Sequence, residues 1–150
     1  MFVFSGGSAI QSDDNRSEYY LFASLSRNTT IYNFAHSSVI VAAKSTSPTG
    51  PYTMLNPEAG PYTLGPRAAT FWDGVWTQNP VIVRLRRSRG YLLFYAGGND
   101  PGKHWSIGTA SIGVAFASSL NGDSRLVFDS FLLISDCFRL LFDCVRLILD

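Results

Sequence analysis

Charged side chains are scarce: they make up 15% of the 150 residues, against about 25% in an average globular chain. Twelve Lys and Arg against eleven Asp and Glu leave a formal net charge of +1. Bulk charge therefore gives no reason to expect a nucleic acid or an anionic membrane as partner. There are only two cysteines, too few for a disulfide framework. Cys137 and Cys144 are seven positions apart, which on a helix separates them by about 10 Å, beyond disulfide reach. Two histidines, His36 and His104, form no cluster with zinc-ligand spacing, so neither a metal nor a cofactor is expected. No apolar run reaches the ~18 uncharged residues of a spanning helix. Met1-Phe2-Val3-Phe4 is too short for the apolar core of an export signal, and the compartment stays open.

Glycine and proline are missing from one region only. All 13 Gly and all 7 Pro precede Ser124. The segment 124–150 also lacks Tyr, Trp, Lys and Glu, and it holds both cysteines. Composition thus divides the chain into 1–123 and 124–150.

The first region reads as β-structure. Tyr19 to Ser24, Ser37 to Ala43, Val81 to Leu85, Tyr91 to Ala96 and Ser111 to Ser118 are β-branched, aromatic or apolar runs separated by turn residues. Val81–Leu85 and Tyr91–Ala96 flank Arg86-Arg87-Ser88-Arg89-Gly90, the pattern of a hairpin. With Arg84, these arginines form the densest basic cluster, read as the solvated charges of a hairpin tip. Gly97-Gly98-Asn99-Asp100-Pro101-Gly102-Lys103 matches the start of a phosphate-cradling loop. His104 stands where that chemistry needs Ser or Thr, and no helix follows, so the segment reads as a glycine-rich turn.

A repeat underlies these strands. Tyr19-Tyr20-Leu21-Phe22 resembles Tyr91-Leu92-Leu93-Phe94, Ala43–Gly50 resembles Ala115–Gly122, and Ile10 matches Ile82, all 72 residues apart. All-β units at a fixed period predict propeller blades, with a plain β-sandwich as the alternative. The repeats span about 6–53 and 77–123, separated by a Pro-, Gly- and Trp-rich insertion, 54–76.

The tail has a period of seven: Asp129, Asp136, Asp143 and Asp150, with Arg139 and Arg146 between. On a helix these charges form one narrow stripe with opposite-charge pairs at i,i+3 and i,i+4, and the rest is apolar. An amphipathic helix over 124–150, outside the propeller, is expected. Its wide apolar face and the open sheet edge of an incomplete propeller make self-association an expectation.

Ala43-Lys44-Ser45-Thr46-Ser47-Pro48-Thr49-Gly50-Pro51-Tyr52 is the most distinctive segment. Pro and Gly set a tight turn, after which Tyr52 is expected to pack between sheets. The segment resembles the blade-ending signature of glycoside hydrolase family 43, the five-bladed propeller arabinanases, xylosidases and their relatives. Asn79-Pro80-Val81-Ile82 followed by Tyr91-Leu92-Leu93-Phe94-Tyr95-Ala96-Gly97 resembles their blade start. Ile112-Gly113-Val114-Ala115 with Ser118–Gly122 resembles the next blade end. The resemblance covers about residues 6–123 and implies two blades of five.

The resemblance further implies an enzyme cutting O-glycosidic bonds with three carboxylates from different blades. A raised-pKa acid protonates the leaving oxygen while a carboxylate activates water. Here Asn79 stands before Pro80 where many relatives carry Asp, and an amide cannot act as a base. The matching place in the first repeat, Gly7-Ser8, also lacks a carboxylate. Asp73, between Trp72 and Trp76, is the remaining catalytic candidate. Trp72, Trp76, Asn79, His104 and Trp105 are the expected contacts to an oligosaccharide or polysaccharide. The expectation is an inactive fragment of a glycosidase-like propeller; the alternative is a carbohydrate-binding module that performs no chemistry.

Overall fold

The computed structural model describes residues 3–12, 15–26, 38–55, 71, 73–85, 90–99, 111–120 and 130–134. These residues form two antiparallel four-stranded sheets. The first runs in chain order, β1 (Val3–Gln11), β2 (Tyr19–Ser26), β3 (Ser38–Ser45) and β4 (Thr53–Met54). The second repeats the meander with β5 (Trp76–Arg84), β6 (Tyr91–Gly98), β7 (Ser111–Ala117) and β8 (Ser130–Ile134). Two like meanders packed face to face are blades of a partial β-propeller.

The repeat is visible in the register. Tyr19 pairs with Ser45 and Leu21 with Ala43, while Tyr91 pairs with Ala117 and Leu93 with Ala115. The second and third strands of both sheets therefore correspond at an interval of 72. The first strands do not. Gln11 opposes Tyr19 and Arg84 opposes Tyr91, an interval of 73. Thus Ala9, not Ile10, corresponds to Ile82. The extra residue lies in the connection to the second strand, 12–18 in the first sheet against 85–90 in the second, and each first strand carries a bulge at the same place, between Ser5 and Gly7 in β1 and between Gln78 and Val81 in β5. Each bulge carries one left-handed residue, Gly6 at φ 51° and Asn79 at φ 52°. Glycine adopts that conformation freely, and Asn tolerates it better than most side chains. The true counterparts of Asn79-Pro80 are therefore Gly6-Gly7.

Apolar side chains fill the space between the sheets. Tyr20, Phe22, Ile40 and Ala42 come from the first sheet, and Ile82, Tyr91, Leu93, Tyr95, Ala115 and Ala117 from the second. Fully burying a side chain such as Leu93 or Phe22 contributes about 1.5–3 kcal/mol. Two glycines make room for rings on neighbouring strands. A Cβ on Gly98 would lie 2.7 Å from the Trp76 indole, and one on Gly113 would run into the Tyr95 ring. A second cluster, Ala23, Leu25 and Val41 with Val39 and Met54, lies on the other face of the first sheet.

The Ser-Pro-Thr-Gly-Pro-Tyr segment is a compact turn from β3 into β4. Gly50 N donates to Ser47 O (3.1 Å), and Ser47 N donates to Ser45 Oγ (3.0 Å). Tyr52 departs from expectation: its hydroxyl folds back onto Pro48 O (2.9 Å), over its own turn, and it is absent from the core between the sheets.

The expected helix over 124–150 is corrected at residues 130–134. These form β8, antiparallel to β7, with Ile112 opposite Ile134 and Phe116 opposite Ser130. Asp129 and Asp136 bracket an uncharged run of strand length, and the open edge of β7 supplies hydrogen-bond partners that local periodicity does not. The other tail residues lie outside the described ones. Among the described residues no helix is long and apolar enough to cross a membrane.

The seat for Tyr95 gives a direct test. Gly113→Ala should destabilise the protein by about 1–3 kcal/mol through overpacking, seen as a lower urea midpoint, whereas Ser118→Ala on the exposed side of the same hairpin should leave the midpoint unchanged.

Candidate functional site

The two bulges meet. A Cβ on Gly6 would lie 2.9 Å from Asn79 Oδ1, so the Asn79 carboxamide rests against the bare backbone of Gly6. β5 is the edge strand of its sheet, and its bulge leaves backbone groups outside the ladder. The first sheet takes them up. Asn79 N donates to Ser24 Oγ (2.8 Å), and Ile82 N donates to Ser8 Oγ (2.8 Å). The Ser8 hydroxyl in turn donates to Pro80 O (3.2 Å). Farther along β5, the Arg84 guanidinium donates to Gln11 O. This edge-to-face seam holds the Asn79 side chain at the surface while Pro80 is buried.

Polarity is graded along the sheets. Tyr20 and Phe22 lie toward one end of β2, and Ser24 and Ser26, both buried, lie toward the other, with buried Ser38 opposite Ser26. On the second sheet Thr77 and Gln78 are buried beside the bulge. Asp73, just before β5, is fully buried and accepts a hydrogen bond from the Tyr95 hydroxyl (2.8 Å). A buried polar cluster therefore sits at the bulge end, while Ser12 and Ser45 are buried at the other.

Gln78 is not legible from the sequence as a site residue. It is 2% exposed, and its Nε2 has no hydrogen-bond partner. A buried amide donor without a partner costs about 1–3 kcal/mol. A buried amide next in sequence to a bulge is not a pattern that spacing or composition reveals.

The sequence-predicted residues are distributed as follows. Asn79 is exposed at the bulge. Trp76 is buried, with its ring on Gly98. Asp73 is buried against Tyr95, 22 positions away in the chain. Trp72, His104 and Trp105 lie outside the described residues. Gly97-Gly98 of the glycine-rich segment belong to β6, and the remainder beyond Asn99 lies outside the described residues. Glu18, the other described acid, pairs with Lys44 at 4.0 Å and accepts from the Tyr20 hydroxyl (3.0 Å). Among the described residues no three His, Cys, Asp or Glu side chains come together as a metal site.

The described residues thus define a two-bladed piece of a β-propeller with a polar cluster at paired bulges. Among solved structures, the chain is similar to Bacillus subtilis levansucrase, in a doubly substituted form in complex with oligosaccharides. The TM-score is 0.56 at 16% sequence identity, over 87% of this chain and 28% of the levansucrase chain. The chain therefore spans little more than a quarter of the length of that protein. The likeness establishes a propeller-like fold of the kind found in a carbohydrate-active enzyme. No family model matches the sequence, and no curated protein matches it.

The buried contact offers a test of Asp73's place. Tyr95→Phe removes a hydroxyl that donates to a buried carboxylate and should cost about 1–3 kcal/mol of stability in urea denaturation. A surface carboxylate waiting for substrate would give no loss.

Proposed function

We propose that the chain is part of a glycosidase-like propeller that acts on O-glycosidic bonds, and that this part holds oligosaccharide without cleaving it. The observation that carries the reading is the exposed Asn79 carboxamide at the bulge of a propeller's edge strand, next in sequence to Gln78, whose buried Nε2 has no hydrogen-bond partner. A carboxamide both donates and accepts, matching vicinal sugar hydroxyls. The levansucrase likeness supports a saccharide as ligand class.

Among the described residues the two acids favour binding over turnover. Glycoside hydrolysis needs two carboxyl groups facing one bond, about 5–9.5 Å apart according to mechanism. Asp73 is spent on Tyr95, Glu18 on Lys44 and Tyr20, and Asn79 occupies the Asp position of the resembled family. In this reading the carboxylates of a longer parent come from other blades. The second reading, a carbohydrate-binding module that never performed chemistry, draws on the same amides and differs only in the parent.

Calorimetric titration with arabino-, xylo- and fructo-oligosaccharides should detect binding, and aryl glycosides should not be turned over. Asn79→Gly keeps the left-handed backbone and removes the carboxamide, so affinity should fall about tenfold, or about 1.4 kcal/mol, with the fold intact. Turnover that survives in the chain, or no binding to any of these sugars, would contradict the proposal.

A further inference from the structure

Every second residue of the second sheet is turned away from the first: Val81 and Val83 on β5, Leu92 and Phe94 on β6, Ile112 and Phe116 on β7. All six are apolar. Val81 is 50% exposed and Ile112 47%, and the other four are half-buried. Only Val114, between Ile112 and Phe116 in the chain, is buried. The outward face of the first sheet has no such opening, since Ala23, Leu25 and Val41 on it are buried.

In a closed propeller the next blade covers such a face. In this chain residues 135–150 follow instead, and they leave the sheet beside it: Ile134, the last residue of β8, stands opposite Ile112. Apart from Ser135 these residues are apolar or are one of five charges, Asp136, Arg139, Asp143, Arg146 and Asp150. Along a strand those charges would fall on both faces, because their positions are odd and even. Along a helix they share one stripe about 80° wide, with Cys137, Leu141, Val145 and Ile148 opposite. Reach is sufficient: β5 lies three strand spacings from β8, about 14 Å, and a helix over 135–150 is about 24 Å long. The face measures roughly 19 by 20 Å, about half of the ~800 Å² that each partner gives to a stable interface. A second copy would be held weakly by so small an area, whereas a segment of the same chain is already at high effective concentration.

We propose that residues 135–150 fold back as a helix across the Val81–Phe94–Ile112 face of their own second sheet and take the place of a third blade. The Cys137–Leu141–Val145–Ile148 side meets the sheet, and the stripe of alternating charges faces water. The contact is apolar on both sides, so it is driven by burial and needs no partner for a polar group. It also closes the surface that self-association would otherwise use.

The chain carries its own reporters, because its only two cysteines, Cys137 and Cys144, lie in this segment and a thiol reacts only where reagent can reach it. In the full chain both should label slowly with dithiodipyridine, at a rate independent of protein concentration. Val81→Asp/Ile112→Asp places two charges in the face at positions already exposed, so the sheets should stay folded by circular dichroism while labelling speeds up about tenfold or more. Leu141→Asp, on the segment itself, should release the thiols in the same way, whereas Arg139→Gln on the charged stripe should leave them slow. Thiols that label in the native protein as fast as in urea would overturn the proposal. So would protection that Val81→Asp/Ile112→Asp leaves intact, which would put the segment elsewhere, or protection lost on dilution, which would make a second copy the occupant.

Discussion

Two serine hydroxyls hold the edge of one sheet against the face of the other. An edge strand carries backbone groups that no neighbouring strand satisfies, and a bulge adds more. In β5 these groups are Asn79 N, Pro80 O and Ile82 N, and each bonds to Ser8 or Ser24. The seam sets the register between the sheets. It also decides which β5 residues are buried: Pro80 and Ile82 go inward, while Asn79 stays at the surface. Without the hydroxyls, burying Pro80 O and Ile82 N would cost about 1–3 kcal/mol each, and the apolar layer would have to offset that before the sheets packed.

From the seam outward, polarity sorts itself. The apolar layer of Phe22, Ile40, Leu93 and Ala115 lies on one side, and Ser24, Ser26, Ser38, Thr77, Asp73 and Gln78 are buried toward the bulge end, with buried Ser12 and Ser45 at the other. A buried polar cluster is stable only where its members are paired. Asp73 meets that condition through Tyr95, and Gln78 Nε2 does not. That contrast separates the two residues. One is structural cement beneath the surface, and the other is an amide still short of a partner beside the exposed Asn79.

Much of the fold is legible because it is written in local patterns. Alternating aromatic and β-branched runs locate β2, β3, β5, β6 and β7, and the recurrence of Tyr-Leu-Phe at 72 residues is the register of β2 and β6. Where the sequence misleads, long-range structure has taken over. The first strands run at 73 because the connection to the second strand is one residue longer in the first sheet, so by sequence Gly7-Ser8 matches Asn79-Pro80, whereas in the sheets Gly6-Gly7 does. β8 reads as helical because the heptad of aspartates dominates its surroundings, yet the edge of β7 claims it. Tyr52 turns back on its own loop. Of the site, Asn79 is legible from its place before Pro80. The burial of Asp73 and Trp76 is not, since it depends on Tyr95 and Gly98, each 22 positions farther along the chain.

Hydrogen–deuterium exchange at Asn79 and Ile82 probes the seam most directly. Both amides belong to an edge strand, where outward-facing groups ordinarily exchange fast. Capture by Ser24 and Ser8 predicts slow exchange at both, with Ser8→Ala releasing Ile82 and leaving Asn79 protected. Fast exchange at both amides in the wild type would contradict the capture, and with it the register between the two sheets.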